Sequence, residues 1–453
     1  MNSIPEFYVK LLKLYKLFFH QDVYKLLQTA IAEQWVSEDE LASRQIKRLK
    51  SLLVHCAHSV PYYKALFREG GINPDDCNDL SFLKKIPLLT KEDVQNHRDA
   101  LICENEDKKK LFECRTGGST GKGLVFYLDS YKRASIVAFR LRCDYWTGVP
   151  PFSKTARIWA VDSNDGFIQR FSRSTREISS NQRVYDLWRL SQDNVIRYVD
   201  SINRWQPQLI VGYSTGLYLL SLLMKKRGLT LKGRPKIIST AEMLTGKIAS
   251  QIRQSLSPHI FNRYGCREVG PISMTCEWGG QHINSDNIVL EVTDHQGRCL
   301  DGGQTGNVVV TDLNNFAMPF VRYAIEDRAA LSLQKCKCGR SFPLMSNMVG
   351  RTGEFLLGEK GRIVHMSQIV LYMERFDSIH LYQLHQTRDK SIFLNLAFKP
   401  GVKRAGTVMK KIVTGLNTIV GPTIPIILNS EDPFVKTEQG KHRYIVSDGS
   451  FFQ

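Results

Sequence analysis

The sequence predicts an α/β protein in two parts: a large N-terminal domain of sheets and helices over residues 1–350 and a small α+β domain over 351–453. Three observations predict this division. Short apolar runs alternate with helical stretches between about residues 155 and 245, which is the pattern of βαβ units around a parallel sheet. From about 286 to 365 the pattern shifts to strands and turns. Beyond Arg351, strand-like runs surround one helical stretch, as in a small α+β domain.

The first hundred residues read as mostly helical. In "YVKLLKLYKLFFH", Lys10, Lys13, Lys16 and His20 fall on one side of a helix, and Leu11, Leu14, Tyr15, Phe18 and Phe19 on the other. Such a basic amphipathic helix either makes a peripheral contact with an anionic membrane or docks on the core with its lysines solvated. Periodicity does not separate the two. "SEDELASRQIKRLKSLLVHCAHS" opens on a capping-box pattern, Ser37 with Glu40 three residues on, and "VPYY" ends it. "KKKLFECR" and "GLVFYL" then flank a glycine loop as two β-like runs, which places the loop on a hairpin.

In the alternating region "TARIWAV", "QLIVGY" and "PKIIST" are strands, and "DNVIRYVDSINRW" and "GLYLLSLLMKKRG" are helices. "WQPQLIVGYSTGLYLLSLLM" is long enough to span a bilayer, but Pro207, two glutamines, two glycines and several hydroxyls make it a strand, a turn and a buried helix. "NIVLEVTDHQGRCL", "GNVVVTDL" and "RIVH" follow as strands. The C-terminal part holds "SIHLYQLHQT", "SIFLNLAFKP", a helix from about Lys403 to Thr418, and "IPIILN". The boundary falls at "VGRTGEF", where two glycines bracket an arginine.

At 453 residues and 42% hydrophobic composition, the chain can bury a core and form more than one domain. Its net charge of +18 favours an anionic partner, but nucleotide, nucleic acid, anionic lipid and acidic polymer all qualify. No nucleic-acid-binding module is recognisable, so no nucleic acid is expected. Ten irregularly spaced cysteines and an opening without leader character point to a reducing cytoplasm, with the inner face of the membrane as the place of any peripheral contact.

Two constellations carry chemistry. "CRTGGSTGKGLVFYLD" offers backbone N–H groups, the hydroxyls of Thr116, Ser119 and Thr120, and the Lys122 ammonium. Gly117, Gly118 and Gly121 let the main chain bend around phosphate oxygens that a Cβ would keep away. The order of residues is not that of a Walker A loop, and a strand rather than a helix follows. By itself such a loop is equally an ordinary tight turn. The second constellation, Cys276 and His282 followed by Cys336 and Cys338, supplies three thiolates and an imidazole, a tetrahedral Zn²⁺ set that leaves no position for water; the alternative is free thiols.

Set in order along the chain, the glycine loop, "IISTAEML", "YGCREVG", "PFVRYAIEDR", "VGRTGEF" and "TEQGKHRYIV" resemble the adenylate-forming ligases. "SVPYYKALFREGGI", "LKKIPLLTKED", "LIVGYSTGL" and "CKCGRSFPLM" look more narrowly like the phenylacetate–CoA ligase branch and its CapK-type relatives, which often belong to surface-polysaccharide gene sets. The resemblance implies an adenylate-forming ligase fold whose small C-terminal domain is mobile. It implies a reaction in which ATP and Mg²⁺ convert a small-molecule carboxylate to acyl-AMP, releasing pyrophosphate, before transfer to CoA, an amine or a sugar.

The resemblance also implies roles. Ser119, Thr120 and Lys122 would hold the β- and γ-phosphates. Glu268 would hold Mg²⁺, Tyr264 in "YG" with Gly265 would face adenine, and Asp327 would accept from the ribose hydroxyls. Ser239, Ala241 and Glu242 would lie along the adenine edge, and Tyr213, Ser214 and Thr215 would line or neighbour the acyl pocket. Lys441 would meet the carboxylate and α-phosphate in the transition state, and Arg351 would stand at the hinge. The branch is similar at the cysteine and histidine positions too, which implies structural Zn²⁺.

The pattern departs at four places. Gly117 replaces a usual hydroxyl residue, Gly123 a common proline, Arg267 a usual threonine before the glutamate, and Gly353 the usual hinge aspartate. Arg267 brings a cation toward the expected α-phosphate. These changes bear on thioester formation more than on adenylation. Two other functions compete: an adenylyl transferase that leaves AMP on the acceptor, and a basic membrane- or nucleic-acid-binding protein.

Overall fold

The computed structural model describes residues 23–116, 124–159, 161, 177, 180–349, 355–373, 375–376, 378–399, 405–429 and 444–447. The amphipathic stretch ending at His20 lies outside them. No helix among the described residues is long and apolar enough to cross a membrane.

Helices α1 (Val23–Glu33), α2 (Glu38–Ser59), α3 (Pro61–Glu69) and α4 (Lys91–Asn96) open the described chain. Ser37 caps α2 by accepting from the Glu40 N–H at 3.2 Å. The reciprocal half of the box does not form, because the Glu40 carboxylate pairs with Arg44 one turn on, at 2.6 Å. Pro61 starts α3 in its first turn, where a missing N–H costs nothing, so "VPYY" both ends one helix and begins the next. Leu49, Leu52, Leu53 and Cys56 of α2 enter a core shared with Phe126 and Phe320.

The glycine loop is spanned by β1 (Phe112–Arg115) and β2 (Val125–Leu128), antiparallel with Arg115 opposite Val125. Asp129 follows and caps α5 (Ser130–Tyr145). Arg142 of α5 is fully buried, paired with Asp286 and donating to Asn284 Oδ1 at 2.7 Å. This ties α5 to the loop after the first sheet.

That sheet contains β3 (Thr155–Trp159), β4 (Gln182–Asp186), β5 (Leu209–Tyr213), β6 (Lys236–Thr240), β7 (Ile260–Cys266), β8 (Gly270–Thr275) and β9 (Gln281–Ile283), in the order β4-β3-β5-β6-β7-β8-β9. Helices α6 (Val195–Trp205), α7 (Ser214–Lys226) and α8 (Gly246–Ser255) make the crossovers. Pairing is parallel from β4 to β7 and antiparallel from β7 through β9. The uncharged stretch through Gly212 is a strand and a buried helix with no turn between: β5 ends at Tyr213 and α7 begins at Ser214.

A second, antiparallel sheet follows in chain order: β10 (Ile288–Thr293), β11 (Thr305–Asp312), β12 (Tyr323–Leu331) and β13 (Met345–Val349). "RIVH" does not join it. Its strand β15 (Ile363–His365) pairs with β14 (Phe355–Leu357) in a separate hairpin, because the chain has by then moved to another core. That core gathers Leu356, Val364, Ile369, Leu384, Leu394 and Ile412 from β14, β15, α9 (Met366–Met373), β16 (Ile379–Gln386), β17 (Ile392–Phe398) and α10 (Ala405–Val420). With β18 (Ile426–Asn429) and β19 (Ile445–Ser447), the strands form a sheet in the order β18-β17-β16-β19.

Candidate functional site

Thr116 closes the glycine hairpin. Its N–H donates to the Leu124 carbonyl at 2.9 Å, and its Oγ1 accepts from the Leu124 N–H at 3.1 Å. Gly117, Gly118, Ser119, Thr120, Gly121 and Lys122 lie outside the described residues, as do Arg351 and Lys441.

The turn from β7 into β8 comes up beside this hairpin. Arg267 in that turn donates through Nη1 to the Arg115 carbonyl at 2.6 Å, the residue next to Thr116. Gly265 is required by contact: a side chain there would run into the Gly270 carbonyl oxygen. Gly270 itself has φ +90°, which folds the strand back on its neighbour.

Glu268, in the same turn, is 8% exposed and accepts from the Tyr323 hydroxyl at 3.3 Å. Tyr264 donates to Asp327 Oδ2 at 3.0 Å. Burial, then the charge of Asp327 and, further down, that of Glu268, holds the Tyr264 hydroxyl well above the usual phenol range. Burial followed by Glu268 does the same for Tyr323. Both phenols therefore stay protonated and act as donors. Tyr323 and Asp327 share strand β12, while Tyr264 lies in β7 and Glu268 follows in the next turn, so these two hydrogen bonds bring Glu268 from the first sheet and Asp327 from the second together.

The other candidates assemble at the ends of β5 and β6, where Gly212 pairs with Ser239 and Tyr213 with Thr240. Ser214 Oγ lies 2.6 Å from Ser239 Oγ and donates to the Glu242 carbonyl at 2.9 Å. Glu242 Oε2 accepts from the Thr215 N–H at 2.9 Å and from its hydroxyl at 2.6 Å. A carboxylate in the first turn of α7 suits the helix dipole and satisfies an orphan N–H. Ala241 takes a left-handed φ of +68° to bring Glu242 there. Two motifs with separate implied roles are thus one hydrogen-bonded block, and the Ser214 and Thr215 hydroxyls are engaged within it. Tyr213 packs on Trp159 with ring centroids 4.5 Å apart.

Cys276, His282, Cys336 and Cys338 come together with their ligand atoms all within 4.8 Å of one another. Cys276 Sγ is 3.5 Å from Cys336 Sγ, and Cys338 Sγ is 3.1 Å from His282 Nε2. His282 Nδ1 lies 2.8 Å from the Phe342 carbonyl, which makes Nδ1 the donor and leaves Nε2 for the cluster. Burial lowers the His282 pKa, keeping the ring neutral. Gly280 allows Cys336 to approach, since a Cβ would sit 2.7 Å from its Sγ.

Sequence reasoning missed Tyr323 as a partner of Glu268. The signal was present in "PFVRYAIEDR", but a tyrosine at a strand start reads as core.

No protein-family model matches the chain. It is 21% identical over 420 residues to Protein CapK of Staphylococcus aureus, covering 90% of each chain. It is 28% identical over 372 residues to the phenylacetate–coenzyme A ligase of Escherichia coli (strain K12), covering 78% of this chain and 80% of that one. The corresponding enzyme of Thermus thermophilus is 27% identical over 333 residues, covering 70% and 72%. Among solved structures, 2-hydroxyisobutyryl-CoA ligase in complex with 2-HIB-AMP and CoA matches with TM-score 0.65 and 17% identity over 92% of this chain and 91% of that one. The same ligase in its postadenylation state matches with TM-score 0.60 and 17% identity over 93% and 92%. The fold is that of the AMP-forming acid ligases. Within that class, the chain is similar over 70–90% of its length to the phenylacetate–coenzyme A ligases and CapK.

Proposed function

We propose that this protein uses ATP and Mg²⁺ to convert a small carboxylic acid to its acyl-AMP, releasing pyrophosphate, and then passes the acyl group to CoA or to an amine or sugar hydroxyl. The convergence of Glu268 and Asp327, joined through Tyr323 and Tyr264 beside the base of the glycine hairpin, carries the proposal. A carboxylate oxygen suits a hard cation, and a second carboxylate suits ribose hydroxyls. The 2-hydroxyisobutyryl ligase with AMP-linked acid and CoA, and the phenylacetate ligases, support both half-reactions. A surface-polysaccharide precursor is an alternative acceptor, as the sequence's resemblance to CapK-type relatives implies.

Residues 351–453 would close over the site and deliver Lys441, whose ammonium would stabilise the charge that crowds together as the carboxylate attacks the α-phosphate. Arg267 would add a second cation near the phosphates. Cys276, His282, Cys336 and Cys338 would hold a structural Zn²⁺. Bonds of about 2.3 Å set sulfur atoms about 3.8 Å apart around a tetrahedron, and the cluster is already near that size.

ATP–pyrophosphate exchange with a panel of carboxylic acids tests the first half-reaction. We expect exchange with one chemical class of acid and its loss in Lys441→Ala. No exchange with any acid, or a product that keeps AMP on the acceptor by mass, overturns the proposal.

A further inference from the structure

We propose that the buried pair Lys132–Asp312 is a positioning device for Glu268, locking the β7–β8 turn to the strands that flank the glycine loop so that the magnesium carboxylate keeps one position relative to them. This rests on Glu268 as the magnesium ligand.

Lys132 is in the first turn of α5, three residues after Asp129, which caps that helix by accepting from the Lys132 N–H at 2.6 Å. Because Asp129 directly follows β2, the position of Lys132 is set by the hairpin. Its side chain and that of Asp312, at the end of β11, have no exposed surface. Nζ lies 2.7 Å from Asp312 Oδ1 and 2.6 Å from Oδ2. It also donates to the carbonyl of Val269 at 2.9 Å, the residue immediately after Glu268.

The network continues to the other side of the turn. Asp312 Oδ1 accepts from the Asn314 N–H at 3.0 Å, and Asn314 Nδ2 donates to Asn287 Oδ1 at 2.8 Å. Asn287 in turn donates to the Pro271 carbonyl at 3.4 Å. Both carbonyls flanking Gly270 are therefore fixed by one buried chain of polar groups. Ile136, one turn along α5 from Lys132, packs where a Gly270 side chain would be. From the front, Arg267 ties the same turn to β1 through the Arg115 carbonyl. The turn that carries Glu268 is thus pinned to both strands of the hairpin.

Stability alone does not account for the pair. Removing two charges from water is expensive, and a well-packed apolar pair in such a place is often as stable or more so. An apolar pair would, however, leave the Val269 carbonyl without its donor and free the turn to shift. Groups of this kind behind a metal ligand typically change metal affinity about tenfold or more when removed.

The test uses the full chain and three variants: Lys132→Met/Asp312→Leu, Lys132→Met/Asp312→Asn and Lys132→Arg. Thermal unfolding establishes that each is folded, and calorimetry compares the affinities for ATP with and without Mg²⁺. We expect the wild type to prefer MgATP, and the double variant to lose about tenfold of that preference while metal-free ATP binds unchanged. Lys132→Arg should recover part of it. In pyrophosphate exchange, KM for MgATP should rise while KM for the acid stays the same.

A folded double variant with the wild-type preference overturns the proposal. If the double variant does not fold, Lys132→Met/Asp312→Asn, which removes the donor to Val269 but keeps an acceptor for the Asn314 N–H, carries the same comparison, and an unchanged preference there overturns it equally. A wild type without any preference for MgATP would instead sink Glu268 as the magnesium ligand, and the proposal with it, before any variant is compared.

Discussion

The cysteine–histidine cluster and the Glu268–Asp327 cluster both gather side chains from distant parts of the chain, yet they are built in opposite ways. In the first, four ligand atoms converge within 4.8 Å, the histidine is oriented by a carbonyl behind it, and a glycine clears the approach. Nothing further is needed to complete such a site except an ion. In the second, each carboxylate meets a tyrosine hydroxyl rather than the other carboxylate. In the proposed roles, the phenols orient the acids for a cation that would arrive with its own ligands. One arrangement suits a metal that finishes the fold, the other a metal that comes and goes with a substrate.

That contrast can be broken first at the metal. A strong chelator, or Cys338→Ser, should remove one bound zinc per chain by metal analysis and lower the unfolding temperature sharply, since the binding energy of such a site is folding energy. Zinc-free protein with unchanged unfolding would erase the distinction between the two clusters.

Next in size, Glu268→Gln should lower pyrophosphate exchange about 10²–10³-fold while leaving zinc content and unfolding temperature near wild type. Loss of fold without a specific loss of turnover would put Glu268 with the structural residues. Smaller again, Tyr264→Phe should raise KM for ATP about tenfold, the scale of one hydrogen bond to a charged group, with kcat little changed. An unaltered KM would detach Tyr264 from the nucleotide.

The smallest effect sharpens the view of the core between the clusters. Burial pushes the Cys143 thiol of α5 up to about 11. A folded pKa above the unfolded value of about 8.5 means that the unfolded chain loses its proton first, so this contribution is complete below about pH 8.5 and lost as pH rises toward 11. Unfolding temperatures measured between pH 8 and pH 10 should fall less steeply in Cys143→Ala.

How far each feature could be read from the sequence follows the same contrast. Metal ligation uses few residue types at countable spacings, so Cys276, His282, Cys336 and Cys338 stand out without any structure. Glu268 and Asp327 do not; an isolated acid is ordinary, and only the order of several motifs singles them out. The hairpin around the glycines and the parallel strands β3, β5 and β6 are legible because turn residues and apolar runs alternate sharply there. The edge strand β4 is not, since "QRVYD" is short and polar. Least legible is the Lys132–Asp312 pair, whose members are 180 positions apart and belong to no motif.

The capping of Thr215 by Glu242 has a consequence for anyone seeking to change which acid this protein accepts. By the proposed roles, one partner borders the acid and the other borders the base of the nucleotide, so a substitution that removes the Thr215 hydroxyl loosens the hold on the Glu242 side chain as well, leaving it the Thr215 N–H. Selectivity and cofactor affinity should then drift together across a mutant library, and a redesign that holds the second constant will have to replace both residues at once.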